Sequence, residues 1–363
     1  MKVLVAGRYG GANGIETYTC LLVRGLRQAG HEVILADRSE QPTESQTRAH
    51  RVERLAPRRH RMRQLAGPFE GRSQQRHLVA LGRSAGVDVI HATYTEFVPP
   101  GPDRPRTVFT AWNPNVAVLR RTLSAHSRSE RAWEQLLYGT ADRLAAGRAD
   151  QVIAVSRAVE SGLTAAGHPA TWIPPFIPDE QVQLSRRRRS RTCVMVAGVV
   201  DHPRKGFDLA VDAVRAARSV APKLELLLVG GWSDPGRRDA LPSFCHALGP
   251  LAPADVRTVL GDAGCCVIPS VWEEFGYVAL EALAVGTPVV CGPLPGLVGL
   301  QTDGLVVAGE RAAATFGHAI ATALDLTSCA FPAACRLSQA IPRIVGLYDG
   351  RRAAADDRTR GIR

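Results

Sequence analysis

Residues 265–291, with the sequence CCVIPSVWEEFGYVALEALAVGTPVVC, contain the local signals on which the fold assignment depends. The apolar run Cys265–Ile268 is typical of a buried strand, and the loop that follows it turns at Gly276. A helical pattern begins after Gly276 and leads into a second apolar run at Pro288–Cys291. A strand, a helix and a second strand in this order make up the repeating unit of parallel α/β sheets.

The same alternation extends along the chain in both directions. A strand, a helix and a strand open the first half at Lys2–Ala6, Gly14–Ala29 and Glu32–Ala36, and the pattern restarts at Thr192–Ala197. The strand runs are almost entirely apolar, which indicates that helices cover both faces of each sheet. We therefore predict an α/β fold with two doubly wound, Rossmann-like parallel-sheet domains.

A change in composition marks the boundary between the two halves. Pro174, Pro175 and Pro178 lie close together, and a polar, charged run continues from there to Arg191. Dense prolines followed by charges are typical of a linker. We predict an N-terminal domain at residues 1–178 and a second domain at 190–328. In the remaining segment, 329–363, we expect a helix that packs back towards the first domain, followed by a frayed tail.

Composition limits the classes of function. The 363 residues are 45% hydrophobic and 22% charged, which are globular values. No run approaches the ~18–20 apolar residues that a membrane-spanning helix needs, and the start lacks the pattern of a secretory signal, so we expect a cytoplasmic protein.

The net charge of +11 is a poor guide to a partner. All but three of the 45 basic residues are arginines, which suggests a genome-wide composition. Aromatic residues make up only 6% and no nucleic-acid-binding module is recognisable, so we predict no nucleic-acid partner.

One arginine cluster is denser than this background. Between Arg48 and Arg83 there are ten arginines and only two acids, Glu53 and Glu70. Such a run attracts phosphates or anionic lipid, and we predict a weak membrane contact there. The alternative is a solvated loop without a partner.

In each half of the chain, a glycine-containing loop follows the first strand. The first, Gly10–Glu16, lets the backbone approach a ligand closely, and the helix after it presents N–H groups to an anion. Its spacing is not that of a dinucleotide site, and a tight turn without a ligand is the alternative. In the second, Gly198–Gly206, the pair Arg204 and Lys205 suits a diphosphate, although two solvated cations in a surface turn would give the same pattern.

The loop and helix of the opening stretch carry two carboxylates eight positions apart, Glu273 and Glu281. A loop-to-helix turn separates them, so they can reach different parts of one ligand, while N–H groups at the start of the helix face its phosphates. The alternative is a capping acid and a solvated helical glutamate.

Together these motifs resemble the retaining GT-B glycosyltransferases of family 4. The resemblance rests on the glycine-rich first loop, the Lys205–Gly206 turn, the Glu-x7-Glu spacing and the strand entry Gly286–Val290. Residues 155–157 also fit the family's strand end at the interdomain hinge. The resemblance extends from residue 1 to about residue 348. It implies two Rossmann-like domains that face a central cleft.

The resemblance also implies the substrates. The donor is a nucleoside diphosphate sugar, with a UDP- or GDP-linked hexose or N-acetylhexosamine as our prediction. The acceptor is a hydroxyl of a small molecule such as a natural-product or aminocyclitol core. No metal and no cofactor are expected, and the chain has no Asp-x-Asp motif.

Site residues follow from the same resemblance. In the catalytic group, Glu273 contacts the transferred sugar and Lys205 the donor diphosphate, with Arg204 nearby. Glu281 holds the ribose hydroxyls. The other residues form a donor-binding group and an acceptor or phosphate loop: Gly198, Phe275, Gly276 and Tyr277 in the former, and Gly11, Gly14, Trp112 and Asn113 in the latter.

Three positions depart from the family pattern. Val199 stands where an arginine is frequent, Trp112 or Asn113 where a histidine is, and Pro175-Phe176 where Asn-Gly is usual.

Two alternative functions stay open. One is a membrane-surface glycosyltransferase with a lipid acceptor that docks through residues 48–83, and the other is a non-catalytic GT-B protein that binds nucleotide.

Overall fold

The computed structural model of the chain describes residues 1–9, 13–37, 51–54, 67–112, 141–183, 190–273, 275–300, 302–326 and 329–350, with the backbone alone at 51–54 and 67–71. These residues form two compact units. Unit 1 contains the chain up to Phe176 together with the segment from Leu337 onwards, and unit 2 runs from Ile177 to Arg336. Residues 329–336, predicted to belong with the C-terminal helix, thus group with unit 2.

Unit 1 is built on a sheet of seven parallel strands. The strands are β1 (Lys2–Gly7), β2 (Glu32–Asp37), β3 (Arg51–Arg54), β4 (Val89–Ala92), β5 (Arg106–Ala111), β6 (Gln151–Ala154) and β7 (Thr171–Trp172). Their spatial order is β3-β2-β1-β4-β5-β6-β7. The direction of winding therefore reverses between β1 and β4, where open α/β sheets bind ligands at the carboxyl ends of the strands.

Helices flank this sheet. They are α1 (Gly14–Gln28), α2 (Gly67–Ser84), α3 (141–148), α4 (Arg157–Ala165) and, after unit 2, α11 (Leu337–Tyr348). The last of these helices packs on α1 at Gly25, where a Cβ atom would lie 2.5 Å from Ile341 Cδ1. Only glycine lets the two helices approach this closely.

Buried hydrogen bonds attach the C-terminal helix to the centre of the sheet. His91 Nδ1 lies 2.6 Å from Tyr348 Oη, and His91 Nε2 lies 2.8 Å from Thr110 Oγ1. Thr110 in turn contacts the hydroxyl of Tyr18 at 3.2 Å. Burial lowers the pKa of His91 to about 3, so the imidazole is neutral and can donate one hydrogen bond and accept another.

Unit 2 contains a second parallel sheet, with six strands. They are β8 (Thr192–Val199), β9 (Glu225–Gly231), β10 (Cys245–Gly249), β11 (Cys265–Ile268), β12 (Val289–Cys291) and β13 (Leu305–Val307). The spatial order β10-β9-β8-β11-β12-β13 repeats the arrangement of unit 1 and reverses its winding between β8 and β11.

Six helices accompany the second sheet among the described residues. They are α5 (Phe207–Ala217), α6 (Pro235–Asp239), α7 (Pro253–Asp262), α8 (Tyr277–Ala284), α9 (Pro295–Val298) and α10 (Ala313–Asp325). Buried side chains of α5 and α10 pack with the sheet in one core, in which Val214 and Phe316 are fully inaccessible to solvent. The predicted α/β class and the two doubly wound sheets are thus confirmed.

Two strands were absent from our prediction. β10 alternates between buried and half-exposed or exposed positions at the edge of its sheet, so it lacks the continuous apolar run of the central strands. β3 is a four-residue edge strand with the polar sequence RVER. Residues 132–146 have a helical sequence pattern, and the part of this stretch that the structure describes, from residue 141 onwards, belongs to α3.

The segment Pro174–Pro178 is not the exposed linker that its prolines indicated. All five of its residues are buried. The Phe176 ring packs 5.1 Å from that of Tyr18, and the Ile177 N–H donates to the Cys335 carbonyl at 3.0 Å. Two large apolar side chains among the prolines outweigh the linker signal. The arginine run at residues 186–189 lies outside the described residues.

Candidate functional site

The candidate site of unit 2 lies where the winding of its sheet reverses. The turn after β8 carries Lys205 and the loop after β11 carries Glu273, and these two strands are neighbours. Lys205 Nζ donates to Glu273 Oε1 at 2.7 Å, and Ser270 Oγ donates to the same oxygen, also at 2.7 Å. The structure therefore brings together two of the three predicted catalytic residues in a partly buried ion pair.

Backbone geometry fixes the lysine turn against the β11 loop. Gly206 has φ +74°, and a Cβ atom there would lie 2.2 Å from the Pro269 carbonyl oxygen. The Val271 N–H donates to the Arg204 carbonyl at 2.8 Å. Because Gly206 has no side chain, the two loops approach closely enough for Lys205 to reach Glu273. Arg204, the third predicted catalytic residue, is half-buried beside them.

Gly198 and Val199 end β8 on the same edge of the sheet. A Cβ atom on Gly198 would meet none of the described residues within 4 Å, so none of them requires glycine at this position. The Val199 side chain is 38% exposed. The position at which the family frequently carries an arginine thus presents an apolar side chain to solvent.

The predicted donor-binding residues Phe275, Gly276 and Tyr277 form the entry to α8. Phe275 is buried, and Gly276 is the N-cap of the helix with φ +95°, in the left-handed region that favours glycine. Gly276 has no side chain with which to cap the helix, and its carbonyl accepts from the Ala279 N–H at 2.9 Å. Glu274 lies outside the described residues.

Glu281 occupies the second turn of α8, one turn after Tyr277. Burial raises the pKa of Glu281 to about 7, and the nearby Arg257 only partly offsets this effect. Glu281 also contributes to the raised pKa of the buried Cys266 thiol on β11. The second carboxylate is therefore not a solvated surface group but one that titrates near neutrality.

A carboxylate outside the predicted site residues braces the loops after β8 and β9. Asp201 accepts hydrogen bonds from Ser233 N, Ser233 Oγ and Asp234 N at 2.7–2.8 Å. Burial alone would raise the pKa of Asp201, but these bonds outweigh burial and lower it to about 2. The chain position of Asp201, directly after β8 and before Lys205, is a signal that could have identified it.

In unit 1 the glycine-rich loop leads into a helix whose N-terminus is already capped. Asn13 Oδ1 accepts from the N–H groups of Ile15 and Glu16 at 3.0 and 3.1 Å. Gly14 is the exposed first residue of α1, and Gly11 lies outside the described residues. The expectation that these helix N–H groups bind an anion is therefore wrong for Ile15 and Glu16, because the asparagine takes both.

An arginine that belongs to none of the predicted motifs lies at the winding reversal of unit 1. The Arg8 guanidinium follows β1 and stacks over the Tyr94 ring at 5.0 Å. One of its nitrogens also lies 3.8 Å from Glu96 Oε1. Tyr94 and Glu96 follow β4, so this cluster occupies the edge of unit 1 where its sheet would bind a ligand.

Trp112, predicted for the acceptor side, is buried just beyond β5. Its ring meets that of Tyr18 edge-on, with centroids 5.1 Å apart. The indole Nε1 is buried without a hydrogen-bond partner among the described residues. Asn113 lies outside them. Trp112 thus forms part of the aromatic packing around Tyr18.

On the part of α2 whose side chains are described, Arg72, Arg76 and Arg83 are exposed. These three belong to the predicted membrane-contact cluster, whose side chains up to residue 71 lie outside the description. None of the described helices is both long enough and apolar enough to span a bilayer. In the described parts of the chain, no three His, Cys, Asp or Glu side chains group as metal ligands would.

Comparison with known proteins agrees with this architecture. Residues 12–181 match the model described as Glycosyltransferase Family 4, and residues 190–325 match Glycosyl transferases group 1. The chain is 26% identical, over 358 residues, to a D-inositol 3-phosphate glycosyltransferase of Corynebacterium efficiens, a match that covers 87% of this chain and 83% of the relative.

Solved structures share the fold at low sequence identity. Sucrose-phosphate synthase from Thermosynechococcus elongatus superposes with a TM-score of 0.66 at 19% identity, over 96% of this chain and 98% of the other. HepE of Anabaena, solved with UDP-glucose, gives 0.62 at 18% identity, over 96% and 100%. These likenesses show the GT-B fold, and the two family matches show that the chain is a glycosyltransferase in which a family 4 domain precedes a group 1 domain.

Proposed function

We propose that this chain is a retaining, metal-independent glycosyltransferase that uses a nucleoside diphosphate sugar as donor and the hydroxyl of a small molecule as acceptor. The observation that carries the proposal is the 2.7 Å ion pair between Lys205 and Glu273 at the reversal point of unit 2. One cation and one carboxylate held there suit a donor whose diphosphate and sugar differ in charge.

Departure of the nucleoside diphosphate is the step in which negative charge develops. Lys205 and Arg204 would stabilise that charge, together with the N–H groups at the start of α8. Glu273 would hold the transferred sugar through its hydroxyls, while Glu281 would accept hydrogen bonds from the ribose. Retention requires the acceptor hydroxyl to attack from the face that the diphosphate leaves, so the departing phosphate oxygen is the base nearest to its proton.

The choice of donor and acceptor draws on the relatives. HepE was solved with UDP-glucose, which supports a uridine nucleotide over the other bases. The Corynebacterium relative is named for an inositol phosphate, a small ring with several hydroxyls. We therefore narrow the acceptor to a cyclitol or similar polyol. The natural-product role and the cytoplasmic location remain predictions.

Nucleotide binding and turnover test this function directly. Thermal unfolding with a panel of nucleoside diphosphates and sugar nucleotides identifies the donor, because a ligand that binds the folded state raises its Tm. Lys205→Ala and Glu273→Ala should each lower donor turnover by about 10²–10³-fold. Lys223→Ala and Glu225→Ala, at exposed positions before and at the start of β9, are matched controls. Wild-type turnover in both site variants would overturn the proposal, and turnover by the native chain excludes a non-catalytic nucleotide binder.

A membrane-surface enzyme with a lipid acceptor is the second candidate, and the exposed Arg72, Arg76 and Arg83 of α2 favour it. Co-sedimentation with phosphatidylglycerol vesicles at low salt tests it. Binding that weakens in Arg72→Ser/Arg76→Ser supports this candidate, and no sedimentation at low salt removes it.

A further inference from the structure

We propose that Arg311 is a third diphosphate-binding cation of unit 2, beside Lys205 and Arg204. This inference deepens the proposed function and rests on it. It assigns a binding role to a residue in the loop between β13 and α10, outside all the motifs that pointed to the site.

The Arg311 side chain runs along the carboxyl edge of the sheet. The residue follows β13, and its Cγ would lie 3.6 Å from a Cβ atom on Gly292, just beyond β12. Its Nη2 then donates to the Pro269 carbonyl oxygen at 2.8 Å, directly after β11. The guanidinium is thus carried across two strand ends to the loop that holds Glu273.

At that point the guanidinium reaches the lysine turn. A Cβ atom on Gly206 would lie 3.2 Å from Arg311 Nη2, so the second cation stands next to the residue that follows Lys205. Burial lowers the pKa of Arg311 somewhat, yet an arginine stays protonated at any physiological pH. A second cationic side chain therefore lies beside Gly206, the residue that follows Lys205.

The chemistry of the site explains why a further cation is needed. Part of the charge of Lys205 is already matched by Glu273, and Val199 brings no charge to the end of β8. A guanidinium has five N–H donors, and the Pro269 carbonyl requires only one of them. The carbonyl orients the group, and its planar fork can bind two phosphate oxygens at once.

The test compares ligands with and without phosphates on three proteins: the native chain, Arg311→Met and Arg311→Lys. Calorimetry would use UDP or GDP, whichever binds the native chain, and the matching nucleoside. We expect Arg311→Met to weaken diphosphate binding about 10–100-fold and nucleoside binding less than about twofold. Arg311→Lys keeps the charge without the fork and should fall between. Arg215→Met, which removes an exposed arginine in the last turn of α5, is the matched control and should bind like the native chain.

The outcomes separate this inference from the proposed function. If the native chain binds the diphosphate and Arg311→Met binds it within twofold, the role of Arg311 is wrong while the glycosyltransferase proposal stands. Equal losses for diphosphate and nucleoside would also overturn it, since they would indicate a general distortion. If the native chain binds no nucleotide of the panel, the proposed function fails and the inference fails with it.

Discussion

Lys205 and Glu273 are 68 positions apart in the chain, yet Nζ and Oε1 meet at 2.7 Å because the strands before them are neighbours in the sheet. The side chains retain only 22% and 12% of their exposure, so the two charges stabilise each other in a partly buried setting, together with the hydrogen bond from Ser270 to the same carboxylate oxygen. Under the proposed function, an arriving diphosphate would compete with Glu273 for the lysine and free the carboxylate to contact the sugar.

Breaking this pair on one side should destabilise the protein more than removing both charges. Lys205→Met leaves the Glu273 carboxylate with Ser270 as its remaining hydrogen-bond partner among the described residues, and we expect a loss of about 1–3 kcal/mol in the free energy of unfolding. The double variant Lys205→Met/Glu273→Gln should lose less than the sum of the two single variants. Urea unfolding of all four proteins measures the coupling. Strictly additive losses would show that the pair contributes nothing in solution.

Gly198, at the end of β8, and Gly206, in the turn after it, should respond differently to substitution by alanine. Gly206→Ala forces a Cβ atom to within 2.2 Å of the Pro269 oxygen at φ +74°, and we expect it to cost at least about 1–2 kcal/mol of stability. The new Cβ atom of Gly198→Ala meets no atom within 4 Å in the part of the chain that the structure describes, so the stability of this variant should stay within about 0.5 kcal/mol of the native chain. Urea unfolding of both variants is the measurement.

Nucleotide affinity completes this comparison. If a donor phosphate approaches the backbone of Gly198, then Gly198→Ala should weaken nucleotide binding even though it leaves the fold intact. Calorimetry with the nucleotide identified by the thermal panel measures the change. Unaltered affinity in the stable Gly198→Ala protein would remove Gly198 from the donor site.

The part of the fold that could be predicted is the part that local pattern determines. Apolar strand runs such as Lys2–Ala6 alternate with helical patterns such as Gly14–Ala29, and this alternation was enough to predict both parallel sheets. The loop from Pro269 to Tyr277 was recognised because a strand, a glycine turn and a helix follow one another in sequence. The edge strands were missed because neither has a continuous apolar run: β3 has the sequence RVER, and β10 alternates between buried and half-exposed or exposed positions.

Contacts between segments that are distant in the chain could not be predicted from the sequence. The reach of Arg311 across β12 and β11 depends on sheet order, which no local pattern encodes. The capping of α1 by Asn13 depends on a side-chain rotamer, so the anion-binding expectation for this loop failed at two N–H groups. Burial of Phe176 depends on Tyr18, more than 150 residues earlier in the chain.

Donor binding should release a proton from Glu281. Burial raises the pKa of this carboxyl to about 7, so about half of the molecules carry the proton at pH 7. Hydrogen bonds from ribose hydroxyls would favour the ionised form and lower that pKa. We expect release of up to about half a proton at pH 7 and tighter binding as the pH rises from 6 to 8.

Calorimetry in two buffers of different ionisation enthalpy measures this proton. A sugar nucleotide is the ligand of choice, because each of its phosphates carries one ester and one anhydride bond and so has no ionisation near pH 7. Glu281→Gln should bind with no proton released. Proton uptake by the native chain, or the same release from Glu281→Gln, would contradict the assignment of Glu281 to the ribose.

The burial of His91 should make the stability of the chain sensitive to acid. The pKa of His91 is about 3 in the folded chain and near 6.5 when unfolded, so the unfolded state binds the proton first. The stability associated with neutral His91 is complete above about pH 6.5 and falls by about 1.4 kcal/mol per pH unit below it.

Tyr348→Phe removes the hydrogen bond between His91 and Tyr348 but keeps the aromatic ring that packs in the helix. The variant leaves a buried imidazole nitrogen without its partner at 2.6 Å, and we expect a loss of about 1–3 kcal/mol at pH 7.5. Because His91 remains buried in the variant, stability should still fall with acid, as in the native chain. His91→Phe, which cannot be protonated, should lose much of that slope between pH 6.5 and 5. Urea unfolding at a series of pH values measures both, and an unchanged slope in His91→Phe would assign the acid sensitivity to another group.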